Sequence, residues 1–211
     1  AGHASISWLL EYANPLIKVT IVPRGRALGA AWYLPEERQI TTKEQMLDEM
    51  CATLGGRAAE DLFLNRISTG AMNDLERVTK QAYGMIAYLG MSDKLPNLCY
   101  YNNEEYSFNR PYSEKTAELI DTEVKNMVNE QYERAKKILS EHREGHNQLA
   151  QLLIDKEVIF AEDVERIFGT PLGFPLRRNH GCQRKSGSCR SRKETGRRGE
   201  REGERNQGRR S

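Results

Sequence analysis

Apolar residues recur at helical spacing along most of residues 1–169, and this pattern predicts a mainly α-helical domain. Two of the helical stretches begin with typical capping residues, Thr42 and Ser113, and Asn14-Pro15 ends the first stretch. The predicted helices cover residues 4–13, 42–64, 72–86, 114–144, 149–154 and 161–168. A core built from packed helices follows from this pattern.

Two short apolar runs show the composition of strands rather than of helices. The first covers residues 17–22, the second covers residues 27–34, and Pro23-Arg24-Gly25 lies between them as a turn. They predict a small β-hairpin whose free edge could accept an extended peptide by strand addition. The predicted fold class is therefore mainly α, with a small β-hairpin or sheet.

Charge divides the chain near residue 170. Residues 170–211 contain 13 Lys/Arg against 4 Asp/Glu, whereas residues 1–169 contain 19 against 26. The basic segment has almost no apolar residue after Leu176, so it cannot bury enough surface to offset the entropy of folding. We therefore predict a folded domain over residues 1–169 and a disordered Arg/Gly/Ser-rich tail over residues 170–211.

Three histidines and one aspartate are candidate metal ligands. His142 and His146 are four residues apart, as in helical zinc pairs, but the segment is polar and Gly145 suggests that the helix ends there. We predict that this pair is exposed and structural. His3 would need a second His four residues earlier, outside the chain, to form a two-histidine clamp. Asp74 lies in the first turn of a predicted helix, where the helix dipole alone would favour a carboxylate.

Segments spread in order over residues 1–169 match the pattern of one protein family. They are residues 1–3, 18–25, 27–29, 33–35, 51–60, 69–75, 111–113 and 153–158. Together they closely resemble the peptidase domain of the FtsH family, the membrane-anchored ATP-dependent (AAA+) zinc metalloproteases. Each segment alone would be weak support, but their order and extent identify the family.

The resemblance implies a zinc site. Residues 1–3 would be the end of a His-Glu-Ala-Gly-His motif, so that His3 is the second zinc ligand and Asp74 the third. The first His and the general-base Glu would precede Ala1, which leaves no catalytic residue within the chain. With two ligands and no base, we expect the chain by itself to bind zinc poorly and to hydrolyse nothing.

Two further features of the site follow from the same resemblance. Glu60 would orient a ligand from behind, although an ordinary exposed carboxylate on a helix fits the sequence equally well. Extended substrate would lie along the strand edge formed by Ala27, Leu28, Gly29 and Ala30.

For the parent polypeptide, the resemblance implies an ATP-dependent endopeptidase that degrades membrane and soluble proteins. ATP and magnesium would bind only to an ATPase module upstream, membrane helices would precede that module, and the peptidase domains would form a homo-hexameric ring. We expect a bacterial inner membrane with this domain on the cytoplasmic side, because the resemblance implies a membrane-anchored parent and the spacing of the four cysteines, which gives no disulfide framework, fits a reducing compartment.

One alternative remains open, in which the chain is a non-catalytic oligomerisation fragment. Its basic tail would then bind nucleic acid or an anionic membrane through charge alone, since no aromatic residue follows Phe174. The tail departs from the family pattern, however, and we expect a frameshift near Thr170. Translation of the neighbouring frames into a Lys/Glu-rich tail would support the frameshift, and nucleic-acid binding is not expected unless the tail is genuine.

Overall fold

The computed structural model describes residues 1–23, 29–34, 40–100 and 111–172. The order of elements is α1 (Gly2–Leu9), β1 (Leu16–Thr20), β2 (Ala30–Tyr33), α2 (Lys43–Ala59), α3 (Met72–Tyr83), α4 (Glu114–Glu141), α5 (Arg143–Lys156), β3 (Val158–Phe160) and α6 (Ala161–Phe168). Helix α2 continues into a π-helical segment, Glu60–Leu64, and α3 continues into a second one, Gly84–Tyr88. The predicted mainly α fold with a small antiparallel sheet is confirmed.

Helix α2 is the centre of the helical layer, since it packs against α1, α3 and α4. Its apolar stripe is fully buried at Met50, Cys51 and Leu54. Met50 and Leu54 pack with Val78 of α3, whereas Cys51 joins a separate cluster with α1 and α4. Thr42 begins the helix with the predicted capping box, because Gln45 N–H donates to Thr42 Oγ1 and Thr42 N–H donates to Gln45 Oε1.

Helices α1 and α2 approach each other closely at two glycines. A Cβ atom on Gly2 would overlap the Gly55 carbonyl oxygen and would lie 2.8 Å from the Cβ of Ala59. A Cβ on Gly55 would in turn lie 3.0 Å from the Gly2 carbonyl oxygen. Only glycine permits this approach, and the approach brings the start of α1 against the C-terminal half of α2.

The sheet has three antiparallel strands in the order β2-β1-β3. The predicted hairpin is confirmed, with Val19 opposite Ala31 and Thr20 opposite Ala30. Strand β3, with Ile159 opposite Val19, was not predicted because three residues are too few to show an alternating pattern. Strand β2 is paired only with β1, and none of the described strands pairs with its other edge, which is called the open edge below.

Two predicted helix ends are wrong. Helix α1 ends at Leu9 rather than at residue 13, and the long helix stops at Glu141 because His142 leaves the helical conformation (φ −113°, ψ 32°). Helix α5 then begins at Arg143, six residues before the predicted start at residue 149, and passes through Gly145, which is in close contact with Phe168. None of the helices in the described ranges combines the length and apolar character needed to cross a membrane.

The predicted exposure of the His142 and His146 pair is wrong for His146. This residue is 7% exposed, and its ring stacks on Phe63 with a centroid distance of 4.2 Å. His142 is exposed and its Nδ1 lies 3.0 Å from the carbonyl oxygen of Ile138. The two rings therefore have different partners, Phe63 for His146 and the Ile138 carbonyl for His142.

Candidate metal centre

His3 is held by α2 in a single orientation. Its Nδ1 lies 3.1 Å from the carbonyl oxygen of Ala52. A carbonyl oxygen can only accept a hydrogen bond, so Nδ1 is the donor in this contact, and in a neutral ring the lone pair is then on Nε2. A Cβ on Gly56 would overlap Nε2, so glycine at this position leaves room for the ring. The arrangement leaves Nε2 as the nitrogen that could bind a metal.

Asp74 faces His3 from the first turn of α3. Its Oδ2 lies 3.5 Å from His3 Nε2, and both side chains are about one-third exposed, at 35% and 37%. Two ligand atoms about 2.1 Å from a tetrahedral zinc ion are about 3.4 Å apart. The residues present therefore fit two corners of a tetrahedral zinc site, although they are 71 positions apart in the chain.

A third protein ligand does not come from the part of the chain that the structure describes. Within residues 1–23, 29–34, 40–100 and 111–172, no three His, Cys, Asp or Glu side chains form a group that could hold a metal ion. Catalytic zinc sites use three protein ligands and one water position. The described residues thus bring together two candidate ligands, His3 and Asp74, of the three that such a site needs.

Glu60 is bonded to the turn before α3 rather than to either candidate ligand. Its carboxylate accepts hydrogen bonds from Ser68 Oγ at 2.6 Å and from Ser68 N–H at 3.1 Å. These bonds, with Arg57 and His3 nearby, hold the pKa of Glu60 below its ordinary value. Both carboxylate oxygens of Glu60 are thus bonded to the turn that precedes α3.

Ser68 and Arg57 complete this turn, and the sequence reasoning assigned a function to neither. Ser68 Oγ accepts from Gly70 N–H at 3.2 Å and so caps the 3-10 turn Thr69–Ala71, which leads into α3. Arg57 donates to the Ser68 carbonyl oxygen at 2.9 Å. A serine two residues before a glycine at a predicted helix start indicates such a cap. The sequence did not show that Arg57 and Glu60, at the end of α2, would bond to this serine.

The His3 and Asp74 side chains lie in a cleft of about 640 Å³ between α1, α2, α3 and the start of β2. Gly29 and Ala30, two of the four predicted substrate-binding residues, line the same cleft. Ala27 and Leu28 lie outside the described residues. The start of β2 therefore borders the cleft that contains the two candidate ligands.

Comparison with known proteins identifies a peptidase family. The model of peptidase family M41 matches residues 1–167. An ATP-dependent zinc metalloprotease FtsH of Parabacteroides distasonis is 73% identical over 171 residues, which are 80% of this chain and 25% of that protein.

More distant relatives match over the same part of the chain. The FtsH of Karelsulcia muelleri is 52% identical over 79% of this chain and 27% of its own length. The mitochondrial ATP-dependent zinc metalloprotease FTSH 10 of Arabidopsis thaliana is 49% identical over 80% of this chain and 21% of its own length. The chain thus spans about a quarter of the length of these curated relatives. From the match over residues 1–167 and these identities, the chain belongs to peptidase family M41.

Proposed function

We propose that residues 1–169 are the peptidase domain of an ATP-dependent zinc metalloendopeptidase, with His3 and Asp74 as two of its zinc ligands. The observation that carries the proposal is the 3.5 Å separation of His3 Nε2 and Asp74 Oδ2 inside the cleft. The names of the relatives, ATP-dependent zinc metalloproteases, support the choice of zinc and of peptide hydrolysis. They lend no support to a non-catalytic oligomerisation fragment.

In this proposal His3 and Asp74 would bind the metal, and Glu60 would position the turn before Asp74. Zinc bound here would polarise a peptide carbonyl and lower the pKa of a bound water molecule. His3 would bind through Nε2 while the Ala52 carbonyl fixes its ring, and Asp74 would offset part of the metal charge. Glu60 would keep the turn before Asp74 in place through Ser68.

Substrate would bind beside the zinc as an added strand. The open edge of β2 offers main-chain N–H and C=O groups, and Gly29 and Ala30 lie at its start within the cleft. Recognition through the main chain does not depend on side-chain sequence, which suits an enzyme that degrades many different proteins. We propose Ala27 and Leu28, which lie outside the described residues, as further substrate-binding residues.

For the whole protein we propose further parts beyond this domain. ATP and magnesium would bind to an ATPase module, the peptidase domains would assemble into a homo-hexamer, and membrane helices would anchor the protein. The substrates would be membrane and soluble proteins, and the membrane a bacterial inner membrane with this domain in the cytoplasm. Residues 170–211 would form a tail separate from the peptidase domain.

The decisive test adds the missing ligand. A helix-forming segment that ends in His-Glu is fused directly before Ala1, so that a His lies four residues before His3 on the same face of α1. Zinc affinity is measured by competition with a chelator for the original and extended chains. We expect the extended chain to bind zinc more than about 100-fold more tightly. Mutation of a residue that only hydrogen-bonds to a metal ligand already changes metal affinity by about 10–100-fold, and a ligand itself should contribute more.

Matched variants identify the ligands. In the extended chain, His3→Ala and Asp74→Asn should each lose the gain in affinity. His142→Ala and Asp93→Asn, which change exposed residues of the same types, should retain it. An extended chain that binds zinc no better than the original, or that cleaves no peptide when zinc is bound, would overturn the proposed function.

A further inference from the structure

Tyr33 is a polar side chain in the cleft that the proposed chemistry does not use. Strand β2 directs Ala31 and Tyr33 towards the core beneath the sheet, whereas Trp32 between them is 47% exposed on the outer face. Tyr33 is half-buried, and it lines the same cleft as His3 and Asp74. The last residue of the open strand therefore points a phenol into the candidate substrate site.

The hydrogen bonding of this phenol is incomplete. Ser7 Oγ donates to Tyr33 Oη at 3.1 Å, so the phenol oxygen is an acceptor in this bond and its own proton remains available. No described side chain or carbonyl accepts that proton. Burial raises the pKa of Tyr33, and the nearby Asp74 acts in the same direction, so the proton is retained at neutral pH.

The position of the phenol relative to the candidate ligands is set by α1. His3 and Ser7 are four residues apart on one face of this helix, which places their side chains about 5–6 Å apart. An extended peptide advances about 3.3 Å per residue. A peptide lying along β2 with its cleaved bond beside His3 would therefore pass the Tyr33 hydroxyl about two residues away.

We infer that Tyr33 donates a hydrogen bond from its hydroxyl to a main-chain carbonyl of the bound peptide, about two residues from the cleaved bond. The inference rests on the proposed function. A strand added to β2 presents carbonyl groups at regular intervals whatever its sequence, so this contact supports binding without selecting side chains. The Ser7 hydroxyl donates to the phenol oxygen and leaves the phenol proton free for the peptide.

Peptide binding to the 211-residue chain itself tests the inference without metal. A fluorescein-labelled peptide of extended, mixed sequence is titrated and its anisotropy is followed for wild type, Tyr33→Phe and Trp32→Phe. We expect Tyr33→Phe to weaken binding about two- to tenfold, the range of one hydrogen bond, and Trp32→Phe to bind like wild type. With the zinc-loaded extended chain, Tyr33→Phe should lower kcat/KM by a similar factor for every peptide and leave zinc affinity unchanged.

A purely structural role for the Ser7–Tyr33 contact predicts a different result. In that case Ser7→Ala, which removes the contact but keeps the phenol, would weaken peptide binding as much as Tyr33→Phe does. That outcome would overturn the inference, as would wild-type affinity in Tyr33→Phe, a loss confined to peptides with particular side chains, or a wild-type chain that binds no peptide. None of these results bears on zinc binding by the extended chain, so the two proposals fail separately.

Discussion

Replacing Gly56 by alanine should displace the His3 ring without destabilising the domain. A Cβ at this position would overlap His3 Nε2 and would lie 2.8 Å from His3 Cε1. The nearest atoms belong to a side chain, so the ring can rotate away while both helices stay in place. Rotation would break the contact between His3 Nδ1 and the Ala52 carbonyl and would move Nε2 away from Asp74.

The free energy of unfolding should change little, because two small effects oppose each other. Loss of the hydrogen bond to Ala52 costs about 0.5–1.5 kcal/mol. Replacing glycine by alanine within helix α2 recovers about 0.5–1 kcal/mol. The net change is below about 1 kcal/mol, which corresponds to about 2–4 °C in Tm for a domain of this size.

Gly2→Ala is the matched control because it places the same methyl group against the main chain. Its Cβ would overlap the Gly55 carbonyl oxygen, and no side-chain rotation relieves that overlap. Forcing α1 and α2 apart should cost about 1–3 kcal/mol. Urea unfolding followed by circular dichroism compares the two variants with wild type.

Zinc affinity of the extended chain completes the comparison. Gly56→Ala should lower it about 100-fold or more, since one ligand is displaced, while its unfolding midpoint stays near that of wild type. Zinc affinity within threefold of wild type would refute the placement of the His3 ring against Gly56. A loss of stability equal to that of Gly2→Ala would refute the argument that the overlap is relieved by a side chain.

Two further predictions concern other contacts. Ser68→Ala should lower the zinc affinity of the extended chain about 10–100-fold, because it removes the bond to Glu60 and the cap of the turn before α3. Ser140→Ala, on the exposed face of α4, is the control and should leave the zinc affinity unchanged. Equal effects of the two substitutions would contradict this prediction. Burial, and to a smaller extent the positive charge of the amino terminus, hold the pKa of His146 below its ordinary value of 6.5. As the pH falls below 6.5, the unfolded chain therefore binds the proton before the folded chain does, and the free energy of unfolding decreases. His146→Phe, which can keep the stack on Phe63, should lose less stability than wild type between pH 7.5 and pH 5 in urea unfolding, and an equal loss would argue against the assignment.

Features that depend on neighbouring residues could be predicted from the sequence. The capping box at Thr42 formed as expected, Ser113 caps α4, and α6 has the predicted bounds Ala161–Phe168. Each of these depends on a side chain and a backbone group three or four residues away. The buried stripe of α2 could be predicted for the same reason, since helical periodicity alone selects one face.

Features that depend on distant packing could not be predicted in this way. Nothing at His142 itself marks the helix break, since the nearest glycine, Gly145, lies within α5 rather than at the break. The break turns α5 so that His146 packs on Phe63 and Gly145 contacts Phe168, two residues from other parts of the chain. A polar segment can be buried when its partner is supplied by the fold, and composition does not reveal that partner.

The candidate metal pair shows the same limit most directly. Taken alone, His3 and Asp74 are a helical histidine and a carboxylate at a helix start, and only the family resemblance joined them. Their 3.5 Å separation depends on two adjacent glycines with different roles. Gly55 lets the α1 main chain approach α2, and Gly56 leaves space for the imidazole that this approach brings in. Adjacent glycines in a sequence indicate close packing, but which atoms fill each space is decided by the crossing of the two helices.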